Sequence, residues 1–191
     1  EGTVKNAVDM AKAAAEAASA ASAATGSTTI GDVVKSGEAK DGDAASVNGI
    51  AKGIKGIVDA AEKADAKEGK LDVAGAAGTT NVNVGKLFVK NNGNEGGDAS
   101  DAGKAAAAVA AVSGEQILKA IVDAAKDGDK QGVTDVKDAT NPIEAAIGGT
   151  NDNDAAAFAT MKKDDQIAAA MVLRGMAKDG QFALKDDAAK D

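Results

Sequence analysis

The sequence predicts a mainly α protein, an irregular helical bundle with long polar loops and at most a few very short β-strands. Three observations predict it. Apolar residues recur at helical spacing in separate stretches. Connectors rich in Gly, Asn, Asp, Ser and Thr divide those stretches. Hydrophobic residues make up 44% of the chain but aromatics only 2%, so the core must be built from Ala, Val, Ile, Leu and Met. Small side chains bury little area each, at roughly 25 cal/mol per Å². They fill space only where backbones approach closely, which favours packed helices over a thick sandwich. The 191 residues suffice for one domain with a core, so 1–191 is expected to be a single helical domain.

The first helix is expected over residues 4–24. Val4, Val8 and Ala11 recur at i, i+4 and i+7, and Ala, the best helix former, fills the rest. Thr25-Gly26-Ser27 ends it. Residues 26–46 read as a polar connector, with a β-branched patch at 28–35 that suits a strand or a helix start. The second helix is expected over 47–67, with Ile50, Ile54, Ile57, Val58 and Ala61 on one face. Gly49, Gly53 and Gly56 interrupt it. Each costs ~1 kcal/mol against Ala in an exposed helix. Either the helix is marginal or a neighbour approaches closely there; the second reading is favoured.

Residues 69–98 are the most strand-like and loop-like part. Val82 and Val84 alternate with Asn81 and Asn83, which suggests a short hairpin around Gly85, with 91–98 a flexible excursion. Helix returns near Ser100. Ser113 and Gln116 have capping-box spacing before the amphipathic face of Ile117, Leu118, Ile121, Val122 and Ala125. Ser113 therefore marks a fresh start or a kink. After the connector 127–138, Asn141-Pro142-Ile143-Glu144 opens a short helix that Gly148-Gly149 stops. Residues 150–154 read as loop. The last helical region is expected over 155–185, apolar on most sides at 167–173 and punctuated by Gly175 and Gly180.

An eight-residue pattern echoes internally. Ile54-Lys55-Gly56-Ile57-Val58-Asp59-Ala60-Ala61 resembles Leu118-Lys119-Ala120-Ile121-Val122-Asp123-Ala124-Ala125, with a fainter copy at residues 4–11. Helical periodicity alone produces such likenesses. The shared Lys and Asp at i and i+4 are also placed to pair on one face, for a few tenths of a kcal/mol. The uneven spacing of the copies argues against a solenoid.

Composition excludes much chemistry. The net charge of −8 repels phosphate backbones and anionic lipid headgroups, so no nucleic acid and no direct membrane contact are expected. Arg174 is the only arginine, which nearly removes bidentate anion clamps. With no Cys and no His, thiolate nucleophiles, disulfides, imidazole catalysis and Cys or His zinc sites are absent. The seven Ser residues have no general base. No cofactor and no catalysis are expected. No apolar run approaches the ~20 residues of a membrane span. No signal peptide is visible, and Glu1 in place of Met is expected of a processed product or fragment that has lost a signal or anchor.

Two acidic groupings invite a functional reading. Asp127, Asp129, Gln131, Gly132 and Asp138 stand at positions one, three, five, six and twelve of an EF-hand-like run. Gln at five and the short Asp at twelve depart from the motif. Chance matches are common in a chain so rich in Asp and Gly, so a solvated turn is the expectation. Lys162-Lys163-Asp164-Asp165 resembles an acid–base set, but adjacent carboxylates diverge on a helix. The expected role is a helix start, with Asp near the positive end of the dipole.

The stretch Met161-Lys162-Lys163-Asp164-Asp165-Gln166-Ile167-Ala168-Ala169-Ala170-Met171-Val172-Leu173-Arg174-Gly175-Met176-Ala177-Lys178-Asp179-Gly180-Gln181-Phe182-Ala183-Leu184-Lys185 resembles the sixth invariable region of the variable surface lipoproteins of Lyme-disease spirochaetes. Residues 47–64, 102–125 and 141–148 resemble other invariable segments of that family. Glu1-Gly2-Thr3-Val4-Lys5 resembles the repeat that bounds its recombining cassette. The resemblance covers essentially the whole chain and extends to the variable large proteins of relapsing-fever spirochaetes. It implies an outer-membrane lipoprotein facing the extracellular space, which varies by segmental gene conversion to evade host antibodies. It implies a helical fold with variable loops, of which this chain is the cassette region. Lipid anchor, signal peptide and flanking helices then fall outside the chain, and any membrane attachment runs through that anchor. The segment 161–185, an antigen in the family, is expected to be largely buried here. The alternative function is an adhesin for host extracellular matrix or glycans. The negative charge and the single Arg argue against acidic glycans.

Overall fold

The computed structural model describes residues 2–22, 30–35, 38–65, 69–90, 95–151 and 155–185. Helix α1 (Gly2–Ser22) is followed by strand β1 (Asp32–Val34) and helix α2 (Ala44–Ala64). A 3₁₀-helix (Val82–Phe88) precedes α3 (Ala99–Ala110) and α4 (Gly114–Ala124). A 3₁₀ turn (Val136–Asp138), α5 (Pro142–Ile147), α6 (Asp164–Met176) and strand β2 (Gln181–Ala183) complete the chain. The mainly α expectation is met.

Where local signals are strong, the elements follow them. Asp43 caps α2 by accepting from the Ser46 amide at 2.8 Å, so the helix starts before Val47. At Ser113 the hydroxyl accepts from the Gln116 amide and the Gln116 side chain accepts from the Ser113 amide, which makes it a fresh start. α3 and α4 meet there at a 98° bend. Asn141 accepts from the amides of Ile143 and Glu144, with Pro142 opening α5. No single helix among the described residues is long and apolar enough to cross a membrane.

α1 packs against α2 through small residues. A Cβ on Gly53 would collide with Ala17, and one on Gly56 would come within 2.8 Å of the Ala13 Cβ. The close-approach reading of these two glycines is therefore right. It also decides which face of α1 turns inward. Ala13 is buried, whereas Val4 and Val8 are 69% and 59% exposed, against the apolar face drawn from their spacing. α1 is helical by propensity more than by packing. The end of the first helix expected at 25–27 lies outside the described residues.

α6 stands at the centre of two apolar cores. Its Ile167 and Ala170 join Val84, Leu87, Phe88, Val136, Phe158 and Met161 in one. Its Ala169 and Leu173 join Val47, Ile50, Ile121, Ile143 and Ile147 in the other. The three Phe of the chain gather in the first core. Phe88 lies 5.5 Å from Phe158 and 5.4 Å edge-on from Phe182.

Two further expectations fail. No hairpin forms at Gly85: residues 82–88 make a 3₁₀-helix with Val84, Gly85, Leu87 and Phe88 buried. Spacing of three places Val84 and Leu87 on one side, and a short alternation of Val and Asn does not distinguish the two periods. Nor is 155–185 one helix. Residues 155–163 are irregular because their amides have non-local partners: Ala155 donates to the Glu95 carboxylate, Phe158 to Val82 O and Ala159 to Lys137 O. After α6, β2 pairs in parallel with β1, Val33 opposite Phe182. Of the β-branched patch, residues 32–34 are thus a strand, and residues 28–29 lie outside the described residues.

Candidate functional site

The segment 161–185 was expected to be buried, and it is. Only Lys162, Lys163 and Lys178 are exposed; Gln166, Met171, Met176, Phe182 and Lys185 are half-buried. Met161, Asp164, Asp165, Ile167 and Arg174 are buried.

Arg174 is the most deeply placed charge. Its side chain is fully buried within the last turn of α6. Nε donates to Gln181 O at 2.9 Å and Nη1 to Ala146 O at 3.5 Å. Nη2 donates to Lys40 O at 3.0 Å and to the Asp41 carboxylate at 3.2 Å. The guanidinium also sits 5.5 Å over the Phe88 ring. A planar fork with five donors suits this convergence of carbonyls, and an ammonium does not. Gly148 makes room for it. Its φ of 97° is left-handed, and a Cβ there would strike the Asp41 carboxylate and approach Arg174 Nη1 to 2.9 Å.

Asp164 and Asp165 open α6 as expected of a helix start, but both are buried and bonded outward. Asp164 accepts from the Asn81 side chain at 2.9 Å, and Asp165 from the Ala76 amide at 3.0 Å. They hold the connector 69–81 against the helix. Beside them a cleft of about 470 Å³ carries Lys119, Lys130 and Lys163 together with Asp123, Glu144 and Asp165. Its charges are mixed in sign. Burial pushes the Asp123 carboxyl up, but hydrogen bonds from Lys119 and Lys126 outweigh this and hold it below the usual range.

The EF-hand-like residues do not converge. Asp129 pairs with Lys52 at 2.6 Å, and Asp127 lies 3.8 Å from Lys130. Asp138 ends the short 3₁₀ turn, where its amide donates to Asp135 O. Among the described residues no group of three or more acidic side chains is placed to hold a metal. The internal echo is an ion-pair motif. Lys5 pairs with Asp9 at 2.5 Å, Lys119 with Asp123 at 2.6 Å, and Lys55 with Asp59.

Sequence reading missed Asn48 and Gln181, which touch the connectors from buried positions, and half-buried Asp41, which lies in a connector and meets Arg174. One available signal was a lone Arg inside an apolar helix, which demands buried acceptors.

A family profile described as Borrelia lipoprotein matches residues 1–191. The chain belongs to that family. It is 38% identical to Variable large protein 17 of Borrelia hermsii over 85% of its length, and 35% identical to Variable large protein 4 of the same organism over 78%. It superimposes on the crystal structure of the Lyme disease variable surface antigen VlsE of Borrelia burgdorferi with a TM-score of 0.83 and 48% identity, over 97% of this chain. The chain spans 45% and 41% of the two curated relatives and 61% of the solved chain. The mainly helical architecture is that of this Borrelia lipoprotein family.

Proposed function

We propose that this chain is the antigen-displaying part of a variable outer-surface lipoprotein, which keeps one helical frame while exchanging exposed side chains to escape host antibodies. It does so without catalysis. Attachment to the outer membrane runs through a lipid anchor, and residues 1–191 form one domain.

One observation carries the reading. The core around Leu173 draws every buried member from 47–64, 102–125, 141–148 and 161–185, the stretches that resemble the invariable segments of the family. A core tolerates little change of volume, while exposed loops tolerate much. The other core sharpens the division. It takes Val84, Leu87, Phe88, Val136 and Phe158 from the connectors, so only part of each connector is free to vary.

The test uses sera taken at successive stages of infection against chains in which 69–80, 127–135 and 149–157 have been exchanged. Stage-specific binding that follows the exchanged connectors supports the reading. Binding indifferent to the exchange overturns it. Saturable binding to host matrix or glycans that survives the exchange makes the chain an adhesin.

A further inference from the structure

We infer that Asn48, Gln181 and Asp165 are clamps that grip the connectors at Lys130, Lys40 and Ala76 by main chain alone, so that at these three positions the frame does not read the connector side chain. This deepens the function proposed above by saying how one frame carries interchangeable loops.

The strongest case is Asn48 on α2. Its Oδ1 accepts from the Lys130 amide at 2.9 Å, and its Nδ2 donates to Lys130 O at 2.9 Å. The second Nδ2 proton goes to Ala44 O at 2.8 Å. Asn48 is buried, and both of its ends are used on backbone. It therefore imitates a neighbouring strand for one residue of a connector that has no strand partner there. The Lys130 side chain takes no part; it points toward Asp127.

The same arrangement recurs at Lys40. Its amide donates to Gln181 Oε1 at 3.0 Å. Its carbonyl accepts from Arg174 Nη2 at 3.0 Å and from the Gln181 amide at 3.0 Å. The Lys40 side chain is 61% exposed and lies 3.6 Å from Asp179. A third connector is held at Ala76, whose amide donates to buried Asp165.

In all three places the buried polar group belongs to an α-helix or to β2, and the gripped residue, Lys130, Lys40 or Ala76, contributes backbone only. Connector side chains are read at neighbouring points, where Arg174 meets Asp41, Gln181 meets Asp32 and Asp164 meets Asn81. Every residue except proline offers the same N–H and C=O. A side-chain contact would instead reject most replacements.

The test is amide hydrogen exchange, read as protection factors, on this chain and its variants. Lys40→Ser combined with Lys130→Ser should leave protection at residues 40 and 130 within about twofold, since opening there is local. Asn48→Leu should lower protection at Lys130 by about tenfold or more while leaving Lys40 unchanged. Gln181→Leu should do the reverse, and carries the test alone should Asn48→Leu fail to fold. The inference is overturned if the Ser substitutions deprotect their own amides as much as the clamp variants do. It is equally overturned if each clamp variant deprotects both sites together, which is general destabilisation. These readouts do not depend on antibody binding, so they stand apart from the test of antigenic variation.

Discussion

Arg174 Nη2 lies 3.2 Å from Asp41 Oδ1, an ion pair that joins the end of the central helix to the connector before α2. Asp41 is also 3.1 Å from Lys90, so it keeps a cation if the arginine is lost. The Lys40 carbonyl keeps the Gln181 amide, whereas the carbonyls of Gln181 and Ala146 lose their guanidinium donors. Arg174→Leu should therefore cost about 3–5 kcal/mol, the usual penalty for breaking a buried ion pair with its hydrogen bonds. Arg174→Lys should recover less than half of this, because one ammonium cannot serve the same diverging acceptors. Urea unfolding of the two variants measures both values, and a loss below about 1 kcal/mol for the leucine variant would contradict the hub role.

Burial of 161–185 makes a second prediction. Antibodies raised against a peptide of this sequence should bind the denatured chain much more strongly than the native one. Native contact falls mainly on Lys162, Lys163 and Lys178, the exposed residues of the segment. Equal titres on native and urea-treated protein would show that the segment opens readily in solution.

The legibility of the fold varied with the range of the interactions. The caps at Ser113 and Asn141 were readable because donor and acceptor lie within three residues. The pairing of β1 with β2 was not, because Val33 and Phe182 are brought together by the whole intervening chain. Ala155 and Ala159 looked helical by propensity, but amide bonds to Glu95 and Lys137 override a preference worth only tenths of a kcal/mol per residue. The importance of 161–185 was visible from resemblance. The clamps were not, since Asn48 and Gln181 act on backbone groups that carry no sequence signature.

A third prediction concerns Phe88, which lies in a connector yet touches Phe158, Phe182 and Arg174. Phe88→Ala should cost about 3–5 kcal/mol, as for other buried aromatics. Among natural variants, substitutions in 65–101 should spare Val84, Leu87 and Phe88 and crowd onto the exposed Asp72, Ala74 and Ala77. Comparing isolates tests the second statement, and thermal or urea unfolding the first.

The last prediction is a pH dependence at the start of α3. Asp98 accepts from the Ser100 hydroxyl at 2.6 Å and from the Asp101 amide at 3.0 Å, with Lys185 3.7 Å away. The Ser100 hydrogen bond and then the Asp101 amide bring its carboxyl down from 3.8 to about 2. A carboxyl lowered in the folded state stabilises that state at pH above its unfolded value and loses the effect as pH falls through the folded one. The advantage of the native chain over Asp98→Asn should therefore be complete above about pH 5, shrink below about pH 4 and vanish near pH 2. Asn keeps a capping oxygen, so the comparison isolates the charge from the cap itself. Urea midpoints of both proteins across this range give the difference directly. If it stayed constant with pH, the Asp98 carboxyl would titrate alike in both states, and the capping box would owe nothing to its charge.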